Sequence, residues 1–336
     1  MKGLDMTKAA PMVEIWRGPL AESLHSGHAV ICDAGGDIVE AWGDPQTLVL
    51  PRSSAKMLQA LPLMESGAAA AHGLTSEHLA LSCASHNGAE AHTTRVAAWL
   101  DALGLIEGDL RCGPDAPTGE DARNALIRAD TEPCQLHNNC SGKHAGFLTL
   151  SKHLGAGPEY IDPDHPVQIA CRAAFEEVTG APSPGYGIDG CSAPNFMTEL
   201  HNMARAMASF AAATDGANAR QSAMVSLREA MMTHPDLVAG EGRACTELMR
   251  ACSEPVALKT GAEGFFIAIL PARKIGLALK ITDGATRAAE CAVAALLVRL
   301  GALDPAHPAA KRVLNAPILN AAGRVTGAIR PAASLA

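Results

Sequence analysis

The chain has 336 residues, of which 48% are hydrophobic and 18% are charged, and its formal net charge is −8. This composition excludes a chain that is disordered over most of its length, because disordered chains are poor in apolar residues and rich in charge. The acidic balance and the lack of any cluster of Lys and Arg argue against a nucleic-acid-binding protein.

The sequence predicts neither a membrane span nor a secretion signal. The apolar stretch at residues 291–298 is far shorter than the run of about 20 residues that a bilayer needs. The first 15 residues contain Asp5 and Glu14 and no apolar core. Ten cysteines without paired spacing then indicate a reducing environment, so we expect a cytoplasmic protein.

The elements predicted in chain order are strands, a long helical block, and strands again. Two strands, at residues 29–32 and 38–42, flank a glycine turn, and a helix begins near Ser53 and ends near Gly67. Helices are predicted at residues 89–103, 120–129, 141–154, 167–178, 194–213 and 219–232. Strands follow at residues 256–259, 265–270 and 275–281, before a last helix at 286–300.

This order predicts an α/β fold with two domains. Strands at both ends of a chain usually join one sheet, because they must bury a face and pair their edges. We therefore expect a sheet domain at residues 1–75 and 254–336 and a mainly helical domain at 76–253. A cleft between two such domains is the natural place for an active site.

Three short motifs indicate serine chemistry. They are S-x-x-K at Ser53 and Lys56, S-x-N at residues 85–87, and K-T-G at residues 259–261. A serine hydroxyl is a poor nucleophile unless a base lies within hydrogen-bond reach, and a lysine can be that base. Two lysines in one cleft would favour the neutral form of one of them. The glycine of K-T-G is expected to let a substrate approach the strand.

Each motif also has a structural interpretation. Ser53 could be a helix cap, and Lys259 could be a solvated residue at the end of a strand. His86 and Asn87 beside Ser85 could contact a substrate or hold their loop by hydrogen bonds. The occurrence of all three motifs in this order favours an acyl-transfer enzyme.

A second group of residues could bind a metal ion. Residues 134–144 contain four possible ligands, and residues 187–192 add Asp189 and Cys191. Zinc is readily bound by thiolate and imidazole groups. However, the sequence has no CxxC pair, so buried packing remains the alternative for these cysteines.

Six segments together resemble the rhizobial-type (class 3) L-asparaginases. The segments are PRSSAK at 51–56, ASHNG at 84–88, CGP at 112–114, HNNCSGKH at 137–144, GIDGCSAP at 187–194 and KTGAEG at 259–264. The resemblance covers about residues 12–300, and the last 30 residues match nothing. It implies a serine β-lactamase-like fold, with a mostly antiparallel sheet flanked by helices and an inserted all-helical domain. It also implies hydrolysis of L-asparagine by a homodimer.

The resemblance also implies roles for individual residues. The catalytic residues would be two Ser–Lys tandems, Ser53 with Lys56 and Ser85 with Lys259. A zinc-type site would comprise Cys140, Lys143 and Cys191, with Asp189 bound through water. This demotes Cys134, His137 and His144 to neighbours of the site.

We expect Ser53 to attack the amide carbonyl after Lys56 takes its proton, with Ser85 and Lys259 relaying protons. The opposite order, with Ser85 as nucleophile and Lys259 as base, remains possible. Further substrate-binding residues are expected at both ends of the amino acid. Arg52, Lys143 or the metal site could bind the α-carboxylate, and Asp189 or Glu263 the α-amine.

Three other functions compete with this prediction. A serine-dependent glutaminase would use the same chemistry on a side chain that is one methylene longer. A β-lactamase or penicillin-binding protein is disfavoured by the lack of an expected secretion signal. A non-catalytic zinc-binding module would leave both serine–lysine tandems idle.

Overall fold

The computed structural model describes residues 6–335. The strands are β1 (Ala10–Arg17), β2 (Leu20–Cys32), β3 (Ile38–Trp42), β4 (Leu48–Val49), β5 (Tyr186–Ile188), β6 (Pro194–Phe196), β7 (Thr198–Glu199), β8 (Ala257–Gly261), β9 (Phe265–Leu270), β10 (Ile275–Ile281), β11 (Ala316–Leu319) and β12 (Val325–Pro331). No helix among the described residues is long and apolar enough to cross a membrane.

The α-helices are α1 (Lys56–Gln59), α2 (Leu61–Glu65), α3 (Ala68–Ala71), α4 (Ser76–Ser82), α5 (Glu90–Ala102), α6 (Glu120–Arg128), α7 (Ser141–His153), α8 (Pro166–Thr179), α9 (Leu200–Ala212), α10 (Ala219–Thr233), α11 (Pro235–Val238), α12 (Ala244–Ala251), α13 (Thr286–Arg299) and α14 (Pro308–Lys311). A short 3-10 helix, Arg52–Ala55, leads directly into α1. The single helix predicted from Ser53 to Gly67 is therefore broken into short pieces. Most other predicted helices are confirmed to within a residue or two.

One compact unit contains the large sheet and is formed by the chain up to Ser54, Thr198–Ala212, and Glu247 onward. Its sheet has the order β11-β12-β1-β2-β10-β9-β8, with β3 also paired to β2, and the pairings are antiparallel. β9 is buried along its whole length because both faces are covered, by α9 and α13. The predicted antiparallel sheet flanked by helices is confirmed.

The second compact unit contains Ala55–Met197 and Ala213–Thr246 and is mainly helical. Its core includes α7, which is buried from Ser141 through Ser151 and packs against α4 and α5. The hairpin of β5 and β6 is the small sheet of this unit.

The boundaries of the units differ from the predicted domains. Residues 55–75 belong to the helical unit, since α1, α2 and α3 pack on α8, α10 and α7. Residues 198–212 belong to the sheet unit, because α9 packs on β10 and β2. The prediction from sequence order had assigned residues 55–75 to the sheet domain and residues 198–212 to the helical domain.

The prediction of a helix from residue 194 was wrong for its first six residues. These residues form β6 and β7, which pair with β5 and β4 and leave α9 to begin at Leu200. Pro194 has no backbone N–H, and tertiary pairing overrides the helical pattern of the segment. The strands β1, β11 and β12 were not predicted; β11 and β12 extend the sheet beyond β1.

Candidate active site

A buried lysine joins a serine and a cysteine inside the helical unit. Lys56, the first residue of α1, is only 1% exposed. Its Nζ donates to Ser85 Oγ at 2.9 Å and to the carbonyl oxygen of Ala84, and lies 3.1 Å from Cys140 Sγ. These contacts bring together residues of the first, second and fourth of the segments on which the family resemblance depends.

The loop that carries Ser85 is held by three distant parts of the same unit. The backbone N–H of Ser85 donates to Val238 O at 2.9 Å, and that of His86 donates to Asn139 O at 3.1 Å. The backbone N–H of Gly119 donates to Asn87 O at 2.9 Å. An irregular loop needs such partners because its backbone groups are buried without a helix or strand to pair them. The Ser85 hydroxyl is thereby held in a defined position beside Lys56.

His86 and Asn87 are part of this loop's internal bonding. His86 Nε2 lies 2.9 Å from Ser141 Oγ, and its ring stacks on His92 with centroids 4.6 Å apart. Burial, reinforced by His92 and Lys56, lowers the pKa of His86 well below its usual value. Asn87 Oδ1 accepts from the backbone N–H of Ala89 at 3.3 Å. Contact of either residue with a substrate stays a prediction.

A second lysine contacts a second cysteine in the same unit. Lys143, on the first turn of α7, is 4% exposed, and its Nζ donates to Cys191 Sγ at 2.9 Å. Hydrogen bonding from Cys140 lowers the pKa of Cys191 well below the usual thiol value, with Lys143 and Lys56 adding to the effect. The same bond, with burial, raises the pKa of Cys140 to about 12. Burial opposes the charge of Lys143, but Cys191 and Cys140 outweigh it and raise its pKa.

The two thiols of this group are of a type that zinc accepts readily once deprotonated, whereas a lysine amine is an unusual ligand that must first lose its proton. Lys143 Nζ contacts Cys191 Sγ, and both cysteines raise the pKa of Lys143. Asp189 lies in the β5–β6 turn, where its Oδ1 accepts from the backbone N–H of Gly190 at 2.7 Å. Across residues 6–335, no cluster of three His, Cys, Asp or Glu side chains is arranged to hold a metal. A site here therefore depends on the lysine.

The other possible ligands of residues 134–144 have different partners. Cys134 Sγ lies 3.3 Å from His137 Nδ1, at the start of a short 3-10 helix. His144 Nδ1 lies 2.9 Å from the hydroxyl of Tyr160. Their place as neighbours of a metal site stays a prediction.

The sheet unit contains the remaining serine and lysine of the motifs, Ser53 and Lys259. Ser53 is half-buried on the 3-10 helix, and Ser54 Oγ donates to Lys259 O at 2.9 Å. Lys259, on β8, is 1% exposed, and its Nζ donates to Thr260 O at 2.6 Å. The buried position of Lys259 rules out its interpretation as a solvated strand end.

Gly261, the glycine of K-T-G, lies against the chain itself. A Cβ at this position would be 2.6 Å from Pro51 O and 3.0 Å from Ser54 Oγ. The absence of a side chain therefore lets the segment that carries Ser53 pack closely on β8. This is a different role from the predicted approach of a substrate.

The two other predicted substrate-binding residues of this unit have unusual backbone angles. Arg52 has a φ of 53° and Glu263 has a φ of 59°, both in the left-handed region that non-glycine residues seldom adopt. Arg52 precedes Ser53, and Glu263 lies in the turn between β8 and β9. Their contact with a substrate stays a prediction.

Sequence reasoning missed residues that hold the site together. Asn138 Nδ2 donates to the carbonyl oxygens of Cys112 and Gly113, both at 3.0 Å, and its Oδ1 accepts from the backbone N–H of Cys140. Asn139 Oδ1 lies 2.9 Å from Cys140 Sγ. Both asparagines belong to the HNNCSGKH segment, and this membership is the sequence feature that could have identified them.

Buried lysine–serine contact on an α/β scaffold is typical of a serine hydrolase. The family model described as L-asparaginase II matches residues 13–331, and the chain belongs to this family. It is therefore an amidohydrolase that acts on a small-molecule substrate. The resemblance to an asparaginase family is confirmed.

Solved structures with a similar fold include two β-lactamases. One, from Mycobacterium bovis, has 12% identity and a TM-score of 0.45, over 81% of this chain and 94% of that chain. A class C β-lactamase from Rhodobacter sphaeroides has 16% identity and a TM-score of 0.43, over 82% and 95%. A structure of Mglu in its tris and glutamate form has 12% identity and a TM-score of 0.46, over 85% and 62%. No curated protein matches the chain.

Proposed function

We propose that this protein hydrolyses L-asparagine to L-aspartate and ammonia through a serine acyl-enzyme. Membership in the L-asparaginase II family supports the substrate. The observation that carries the proposal is the 2.9 Å hydrogen bond from Lys56 Nζ to Ser85 Oγ, in a loop held from three sides. Such a bond provides a route for a proton between an amine and a hydroxyl.

In the proposed mechanism Ser53 is the nucleophile and Lys56 is its base. Ser53 Oγ bonds to the side-chain carbonyl carbon, and its proton passes to Lys56. The Lys56 ammonium then donates to Ser85, whose own hydroxyl proton passes to the amide nitrogen as the C–N bond breaks, so that ammonia leaves and an ester on Ser53 remains. Water next attacks the ester carbon, the ester C–O bond breaks to release L-aspartate, and the proton lost by the water returns along the relay to Ser53 Oγ, with Lys259 as the second amine.

The two ends of the substrate need charged partners. We propose Arg52 and Lys143 for the α-carboxylate, and Glu263 and Asp189 for the α-amine. His86 and Asn87 would shape the pocket next to Ser85. The pairings of Ser53 with Lys56 and of Ser85 with Lys259 come from the motifs and the family resemblance.

Zinc is part of the proposal because the family resemblance implies it and because Lys143 lies beside Cys191 and interacts with Cys140. Cys140, Lys143 and Cys191 would hold the ion, and Asp189 would bind it through water. Bound zinc would supply a fixed positive charge that anchors the substrate carboxylate. Metal content measured on the purified protein tests this, with C191S expected to lose the ion and C171S, a buried cysteine on α8, expected to keep it.

The first test is ammonia release from L-asparagine, with L-glutamine run in parallel. We expect the rate with asparagine to be much the higher. K56M should lower kcat by about 10²- to 10⁴-fold, since it removes the base. K152M, which changes an exposed lysine of the same unit, should have no effect. Equal or faster release from glutamine would favour the glutaminase alternative.

The order of the serines is tested by trapping the acyl-enzyme and measuring its mass. S53A should form none, whereas S85A should acylate slowly and accumulate the intermediate. S66A, at an exposed serine of the same unit as Ser85, should behave as the wild type. Acylation of S53A together with none in S85A would make Ser85 the nucleophile.

Assembly and location complete the proposal. The family resemblance suggests a homodimer, and the ten cysteines without paired spacing suggest the cytoplasm. The molecular mass in solution, measured by analytical ultracentrifugation, tests the dimer; a monomer at micromolar concentration would contradict it.

A further inference from the structure

Lys280 is a buried lysine that neither the motifs nor the proposed mechanism uses. It lies near the end of β10, is 8% exposed, and pairs across the sheet with His28 and Phe265. Lysine is seldom buried without a partner, because the amine loses its contact with water. Its place in the sheet therefore calls for an explanation.

The partner of Lys280 is the turn between β8 and β9. Its Nζ donates to the carbonyl oxygen of Glu263. Glu263 has a φ of 59°, and the next residue, Gly264, has a φ of 67°. Glycine adopts this region at little cost, but the left-handed backbone of Glu263 is unfavourable and needs contacts from outside the turn to hold it. The bond from Lys280 is such a contact, and it acts on the residue proposed to bind the substrate amine.

The same turn lies closely on the turn that follows β10. The backbone N–H of Ile281 donates to Gly264 O at 2.9 Å. A Cβ on Gly284 would be 2.7 Å from Glu263 Oε2, so the carboxylate lies directly over this glycine. The Glu263 side chain is thus confined on one face, while the residue as a whole remains exposed. An exposed, oriented carboxylate is suited to bind an ammonium group.

The neighbouring carboxylate is already engaged elsewhere. Asp283 Oδ2 lies 2.5 Å from His25 Nδ1, and Asp283 Oδ1 accepts from the backbone N–H of Ala285 at 3.0 Å. Burial lowers the pKa of Lys280, while Glu263 and Asp283 work in the opposite direction. Arg52, also proposed to bind the substrate, adds to the lowering of the Lys280 pKa, but the hydrogen bond of Lys280 is to Glu263.

We propose that Lys280 is a positioning residue that holds the Glu263 carbonyl and thereby aims the Glu263 carboxylate at the α-amine of the substrate. The inference rests on the proposed function. The interaction with the amine is present both before and during the reaction. Its loss should therefore raise KM and leave kcat nearly unchanged.

The test is a double-variant cycle on L-asparagine hydrolysis. K280M and E263Q should each raise KM about tenfold, with kcat within about threefold of the wild type. The double variant should be no worse than E263Q alone, because Lys280 acts through the carboxylate that E263Q removes. K280R, which keeps the donor, should restore KM. K274M, at an exposed lysine between β9 and β10, is the matched control.

Amide hydrogen exchange at residues 261–264 provides a readout that does not depend on activity. Exchange should rise in K280M and not in K274M. If K280M does not fold, K280Q takes its place in both measurements. An unchanged KM, a fall in kcat alone, or the same KM increase on the E263Q background overturns the proposal. A wild type that releases no ammonia from asparagine overturns the proposed function, and the role of Lys280 in substrate binding with it.

Discussion

Substitution of Gly261 by alanine should damage both stability and catalysis. The added Cβ would lie 2.6 Å from Pro51 O and 3.0 Å from Ser54 Oγ. The backbone oxygen must retreat by about 0.8 Å to reach an ordinary contact. Overpacking of a tight interior costs about 1–3 kcal/mol. For a protein of this size, that lowers the melting temperature by about 1.5–4 °C.

The catalytic effect follows from the same displacement. The oxygen that must move belongs to the residue two positions before Ser53, and a misplacement near 1 Å can cost about 10²-fold in rate. G261A should therefore lose about 10- to 100-fold in kcat while it remains folded at 25 °C. Differential scanning fluorimetry and ammonia release measure the two effects.

The control for this prediction is G157A. Nothing lies within 4 Å of a Cβ placed on Gly157, and its φ is not in the left-handed region. This variant should match the wild type in both assays. If G261A has the kcat and melting temperature of the wild type, then close packing of residues 51–54 on β8 is not needed for stability or for catalysis.

Three further predictions follow from contacts outside this region. Y160F should lower the free energy of unfolding by about 1–3 kcal/mol, since it leaves the backbone N–H of Arg111 and the Nδ1 of His144 without their partner; chemical denaturation measures this. D283N should lower the free energy of unfolding at pH 7 by less than about 1 kcal/mol, because burial of the half-exposed carboxylate is outweighed by the hydrogen bonds from Ala285 and His25, which lower its pKa. That contribution is present above the unfolded pKa of about 4 and is lost as pH falls through the folded pKa, so the two melting curves should converge near pH 3; a difference that persists there would contradict the assignment. Removal of β11 and β12 exposes the edge of β1 and should make the protein aggregate, as light scattering would report.

Local patterns in the sequence were sufficient for much of the fold. The bounds of β9, β10 and α7 were predicted to within about one residue. Nearly every residue of these elements is buried, so the two strands appear in the sequence as nearly unbroken apolar runs. The glycine turn at residues 33–36 likewise specified the hairpin of β2 and β3. By contrast, β11 and β12 are only partly buried along their length, so they show little of the alternation of buried and exposed residues that marks a strand.

The candidate site shows the same division. The order of residues along the chain was enough to indicate which chemistry is available: two lysines near serines, and a lysine between two cysteines. The folded structure was needed to show that Lys56 contacts Ser85, 29 positions away, and that Lys143 contacts Cys191, 48 positions away. It also decided that Gly261 makes room for Pro51 and that Lys280 holds Glu263. Periodicity and spacing report on neighbours within a few residues, whereas these contacts arise where loops without any period are held by backbone hydrogen bonds from distant segments.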